Sequence, residues 1–189
     1  PRSTLDRSSA ASDVYKRQLK EEDRQHFDAI YKSRGRIGPP YSYFLNAPYI
    51  ASRMEQTLYF SRFLTKIDKK VKELSICTLA RELNAEFEWA AHSKEAEEAG
   101  VRVEAIQALR NKTAPHGLKS DEKAVIQFVQ ELLRPPYRVS EPAYKSMETL
   151  IGTELLAQLV CILGAYSMLA VAMNAFGIEA PEGADKLPL

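Results

Sequence analysis

The chain has 189 residues, enough for one domain with a sizeable core, and its 26 Lys+Arg against 25 Asp+Glu leave a formal charge of +1. That balance excludes the basic surplus that non-specific nucleic-acid binding needs, and no RNP-like pattern or Gly-rich phosphate loop is present. Cys77 and Cys161 lie far apart in apolar segments, the pattern of reduced packing thiols in a cytoplasmic protein rather than a disulfide framework.

Residues 1–18 are polar, Ser-rich and without periodicity. They read as a disordered or cloning/sequencing-derived tail, with no apolar region of a secretory signal, and are set aside from the fold. From Leu19 to Leu189 the pattern predicts a single all-helical domain. Leu19 to Ser33 is a charged, weakly amphipathic stretch. Gly35, Gly38, Pro39 and Pro40 then force a loop carrying Arg36, Tyr41 and Tyr43. That loop is either a lid that meets an anionic substrate or an ordinary surface connection. Pro48 opens a helix running to about Leu64, with Ile50, Met54 and Leu58 on the helical period.

Helices are predicted over Asp68 to Leu83 and Ala85 to Ala99, the second stopped by Gly100. A short helix follows from Val103 to Arg110. Ser120, as N-cap, starts another that ends before Pro135-Pro136, with Asp121 and Glu122 in its first turn. Ser140 starts the next, and Gly152 ends it. The last helix, Thr153 to Phe176, has no charge beyond Leu155 and is long enough for a membrane span. Gln158, Tyr166, Ser167 and Asn174 interrupt it without flanking basic clusters, so the expectation is a core or subunit-interface helix and no membrane. No strand-like alternation occurs, and the class is all-α.

One stretch carries chemistry. Glu88 and His92 are four residues apart and share a helix face, together with Ala85, Ala96 and Ala99, all within about 40° of His92. Ser93, Lys94, Glu97 and Glu98 fall on the opposite side. A carboxylate and an imidazole on an inward, small-residue face need a partner or a task. The preceding helix adds Glu73 on a stripe with Ile76, Cys77 and Ala80, and a hairpin at Asn84 brings Glu73 to the Glu88/His92 side. Two carboxylates and an imidazole in one dry pocket shift one another's pKa values, which is how a fold obtains an acid and a base near neutrality. Structural ion-pair networks produce the same spacing.

Trp89 either lines that pocket or packs. Arg53, Arg62 and Arg81 are further anion-binding candidates, and His26 and His116 read as surface histidines. Three histidines without clustered spacing give no zinc signature. Glu73, Glu88 and His92 imitate a carboxylate-rich metal site, yet the usual facial arrangement wants two His, so no metal is expected.

Glu73, the run Leu83-Asn84-Ala85-Glu86-Phe87-Glu88-Trp89-Ala90-Ala91-His92, Ala96 and Gly100-Val101 together resemble the carboxymuconolactone decarboxylase family. The likeness extends from Pro48 to Asn174-Ala175-Phe176. It implies an alkylhydroperoxidase D-like helical bundle with the site on a helical hairpin, and a homo-oligomer, trimer or hexamer. Peroxidase members of that superfamily carry a Cys-x-x-Cys pair one turn before the His, and here those places hold Ala85 and Glu88. Disulfide exchange requires a thiolate and a resolving Cys, so thiol peroxidase activity is not expected. The resemblance instead implies acid/base chemistry without cofactor on a small organic acid or lactone. It assigns Glu73, Glu88 and His92 to catalysis; Trp89 by its helix position, and Tyr41 and Arg36 by their loop, are the substrate-binding candidates. The alternative from another class is a non-catalytic helical oligomer with a structural Glu/His cluster.

Overall fold

The computed structural model describes residues 16–113 and 117–188. Among the described residues every regular element is helical and no strand occurs. The predicted tail lies mostly outside these residues, as does His116. Where the sequence suggests one domain from Leu19 onward, the chain forms two compact units that meet in sequence at Leu64 and Thr65.

The first unit holds α1 (Glu21–Arg34), α2 (Tyr41–Phe44), α3 (Pro48–Tyr59) and a π-helical turn over Phe60–Leu64. Gly35 ends α1 at φ 72°, the left-handed conformation a glycine adopts without steric cost. Phe27 and Ile30 of α1 are buried, as are Ala51, Met54 and Leu58 of α3, the helix on which α1 packs. The carboxylate of Glu55, itself buried, organises the unit. It accepts hydrogen bonds from Ser33 Oγ at 2.5 Å, from Arg34 Nε at 2.8 Å and from the Tyr41 hydroxyl.

The second unit holds α4 (Lys69–Glu82), α5 (Glu86–Glu98), α6 (Val103–Arg110), α7 (Ser120–Leu133) and α8 (Glu141–Phe176). Asp68 caps α4 by accepting from the backbone N–H groups of Lys70 and Val71, at 2.9 and 3.3 Å. Every residue from Val71 to Arg81 is buried, because α4 is central and packs against α5, α6, α7 and α8. Asn84, at φ 49°, turns the chain from α4 into α5. Gly100, at φ 88°, ends α5, and the Val101 N–H returns to the Ala96 carbonyl at 2.9 Å. Helix α7 begins at Ser120, and its capping acceptor is the Glu122 carboxylate, which takes the Lys119 N–H at 3.0 Å. Ser120, the predicted cap, is therefore inside the helix, one place beyond the actual N-cap Lys119. Glu122 also binds the Arg102 guanidinium through two nitrogens.

Helix α8 is continuous in name only. Gly152 sits at φ 79°, ψ 159°, a conformation that is nearly glycine-only, and divides the helix where the sequence predicts an end. Half of the most apolar stretch of α8 is buried, and its length and composition alone would suit a membrane span. The other side leaves Val160, Cys161, Gly164, Met168 and Val171 exposed. Cys77 is buried as expected, whereas Cys161 is not, since the uniformly apolar sequence of α8 conceals which side faces out.

Candidate active site

The hairpin of α4 and α5 brings Glu73, Glu88 and His92 together. His92 Nδ1 lies 2.7 Å from Glu73 Oε2, and Nε2 lies 3.5 Å from Glu88 Oε2. Both carboxylates and the imidazole are buried. Helical spacing supplies the Glu88–His92 contact, one turn apart on α5. Glu73 comes from the neighbouring helix, and its other oxygen, Oε1, lies 3.3 Å from Lys72 Nζ. Two carboxylates therefore face two cations, which is the condition under which such groups tolerate burial.

These contacts fix protonation. Burial alone would push the His92 pKa down, but the hydrogen bonds and charges of Glu73 and Glu88 outweigh it and raise the pKa to about 9. Burial likewise pushes Glu73 up, and the His92 and Lys72 partners more than reverse it, so its carboxyl stays below the ordinary value. At neutral pH the ring is an imidazolium with both N–H groups aimed at carboxylates. The short contact to Glu73 orients the ring. The longer one to Glu88 leaves Nε2–H the looser and more transferable proton.

Three members of the cluster were not found from sequence. Lys72 adjoins Glu73 in sequence and has a buried side chain, which helical phase does not announce. Tyr166 reaches His92 from α8, ring against ring, with centroids 5.0 Å apart and planes at 89°. Glu95, exposed on α5, can present a ligand atom within 4.8 Å of Glu73 and His92, and among the described residues these three could hold a metal ion. Both Glu73 oxygens already face cations, so a metal there has to displace the proton of His92. Ser93, expected on the outer side of α5, is buried.

The remaining candidates lie elsewhere. Trp89 is fully buried and donates its indole N–H to Asp185 Oδ2 at 3.2 Å, so it anchors the C-terminal segment. Tyr41 is a core residue of the first unit, not part of an open lid. Burial raises its phenol pKa, and its hydroxyl is spent on Glu55. The loop position misled because an aromatic beside Pro40 serves equally well to start a short buried helix. Arg36 is exposed in the same unit. Arg53 stacks on Tyr49, Arg62 lies 3.8 Å from Glu55, and Arg81 is buried on Asn84 and the Pro188 carbonyl. His26 is half-buried, with Nδ1 2.9 Å from Ser52 Oγ.

Cys77 lies one turn beyond Glu73 on α4. Burial, reinforced by the charges of Glu73 and Glu95, pushes its thiol well above the ordinary value, which leaves it neutral and a poor nucleophile.

Residues 48–131 match the model of the Carboxymuconolactone decarboxylase family. The match begins at Pro48, as the resemblance implied, and ends within α7, short of the expected Phe176. It includes Glu73, Glu88 and His92. No curated protein matches the chain.

Proposed function

We propose that this chain, a member of the carboxymuconolactone decarboxylase family over residues 48–131, is a cofactor-independent lyase that decarboxylates a small lactone acid. Membership makes the function carboxymuconolactone decarboxylase-like or alkylhydroperoxidase D-like. The observation that carries the lyase reading is the buried array Glu73–His92–Glu88, an imidazolium held between two carboxylates. The thiol branch lacks its reagents: Ala85 and Glu88 occupy the expected positions of the Cys pair, and the Cys77 thiol is held neutral.

In this reading the substrate's carboxylate carbon–carbon bond breaks and CO2 leaves. The electron pair enters the conjugated lactone as a dienolate. His92 stabilises that charge through Nε2–H and supplies the proton that quenches it, with Glu88 as the carboxylate through which the proton passes. Glu73 keeps the ring charged and oriented. The exposed stripe of Val160, Gly164, Met168 and Val171 supports assembly as a trimer or hexamer, to be measured by light scattering.

The test is turnover of γ-carboxymuconolactone by the parent and by His92→Ala, with peroxide turnover run in parallel. Parent activity that collapses in a folded variant is expected. A parent silent on the lactone overturns the named reaction. The mutual satisfaction of the buried groups favours a second reading, a structural cluster, and Glu88→Gln separates the two. A structural pair loses stability, whereas a catalytic one loses activity and keeps or gains stability.

A further inference from the structure

We propose that Tyr166, supplied by α8, is the positioning residue that fixes the ring plane of His92. The inference rests on the reading of His92 as the proton-handling group. Tyr166 lies beyond the family-matched residues 48–131.

The argument starts from what the carboxylates leave undone. Glu73 pins Nδ1 with a 2.7 Å contact, which fixes one atom of the imidazole and leaves rotation about Cβ–Cγ coupled to a single hydrogen bond. Glu88 Oε2, at 3.5 Å from Nε2, is beyond the distance of a strong hydrogen bond and cannot hold the ring alone. Yet transfer at Nε2 requires that atom to stay aimed. Tyr166 supplies the missing restraint. Its ring is perpendicular to the imidazole at 5.0 Å, the edge-to-face arrangement aromatic pairs prefer, and it is 4 % exposed. Leu163, Leu169 and Ala170 of the same helix are buried with it. A ring wedged in this way does not rotate with its neighbour, so the imidazole is clamped on its plane as well as at Nδ1.

Around His92 stand Glu73, Lys72 and Cys77 from α4, Glu88 and Glu95 from α5, and Tyr166 from α8. The charged groups determine whether the ring holds a proton. Tyr166 determines where that proton points.

The experiment compares the full chain with Tyr166→Phe, which keeps the ring, and Tyr166→Met, which fills the volume without one; Tyr166→Leu replaces the latter should it not fold. Two readouts are taken: nitrogen-15 NMR titration of the His92 imidazole, assigned by its loss in His92→Asn, and the separate kcat and KM on the lactone. Tyr166→Phe, which keeps the ring edge-to-face with the imidazole, is expected to retain the parent's His92 nitrogen spectrum. Tyr166→Met is expected to lower kcat about three- to tenfold, with KM little changed. It should also loosen the ring's contacts to Glu73 and Glu88, lowering the His92 titration midpoint and broadening its nitrogen signals. A folded Tyr166→Met with an unchanged His92 spectrum overturns the proposal, as does a Tyr166→Phe that behaves like Tyr166→Met, since the hydroxyl would then be the active part. A parent silent on the lactone removes the named reaction, and the NMR comparison still decides the role of Tyr166.

Discussion

Replacing Glu73 by glutamine removes one charge from the cluster and almost nothing else. The amide keeps the shape and leaves an oxygen for His92 Nδ1–H to find. What it loses is the preference for the imidazolium. A rise in the His92 pKa from 6.5 to about 9 corresponds to about 3 kcal/mol of that preference, divided between Glu73 and Glu88. Glu73 is the nearer partner, 2.7 against 3.5 Å, and should account for about 2 kcal/mol. The sign follows from the raised pKa. Stability that depends on a protonated His92 is fully present below pH 6.5 and is lost as pH rises through about 9. Urea unfolding of parent and Glu73→Gln between pH 6 and 10 should therefore give a gap of about 2 kcal/mol at the acid end. At the alkaline end the gap should shrink to whatever the Lys72 contact contributes. A gap that stays constant across this range would refute the reasoning. So would a variant as stable as the parent at pH 6, because desolvation of the ion pair would then exceed its attraction.

The same pKa predicts a rate profile: lactone turnover should hold through neutral pH and decline as pH passes about 9, where the imidazolium is lost. A thiol-exchange reagent should reach Cys77 only in denaturant, followed by absorbance and peptide mapping. Gly152→Ala should cost about 1–3 kcal/mol in chemical unfolding from backbone strain, since no neighbouring atom lies within 4 Å of the added carbon. Asp68→Ala should cost about 1 kcal/mol by removing the cap of the central helix.

The sequence made local features readable and hid those that depend on distant partners. Asp68 marks a helix end through its capping carboxylate, and Gly100 and Gly152 through backbone at positive φ. Glu88 and His92 were placed by a period within one helix, and Glu73 by a hairpin of two adjacent ones. Tyr166 is 74 positions from His92, and no periodicity in α8 shows which of its sides meets α5. The same helix concealed the exposure of Cys161. Tyr41, a lid candidate from its loop position, and Glu55, which no local pattern singles out, owe their roles to distant partners: Ser33, Arg34 and Tyr41 all meet on the Glu55 carboxylate.

On the proposed reading, the charge arrangement lets one cluster be both stable and reactive. Glu73 and Glu88 face His92 and Lys72, so the buried core of the site is balanced and needs no solvent to remain folded. The balance is uneven in space. Glu73 is held on both oxygens at 3.3 Å or less, whereas the Glu88 carboxylate has, among the described residues, the 3.5 Å contact to Nε2. The tight half fixes the proton inventory, and the loose half leaves a donor and an acceptor whose separation a bound anion can alter. A cluster built only for stability gains by tightening both contacts, since each hydrogen bond to a charged group contributes about 1.5–3 kcal/mol. A slack contact at Nε2, opposite a tight one at Nδ1, is the asymmetry that proton delivery to a substrate requires.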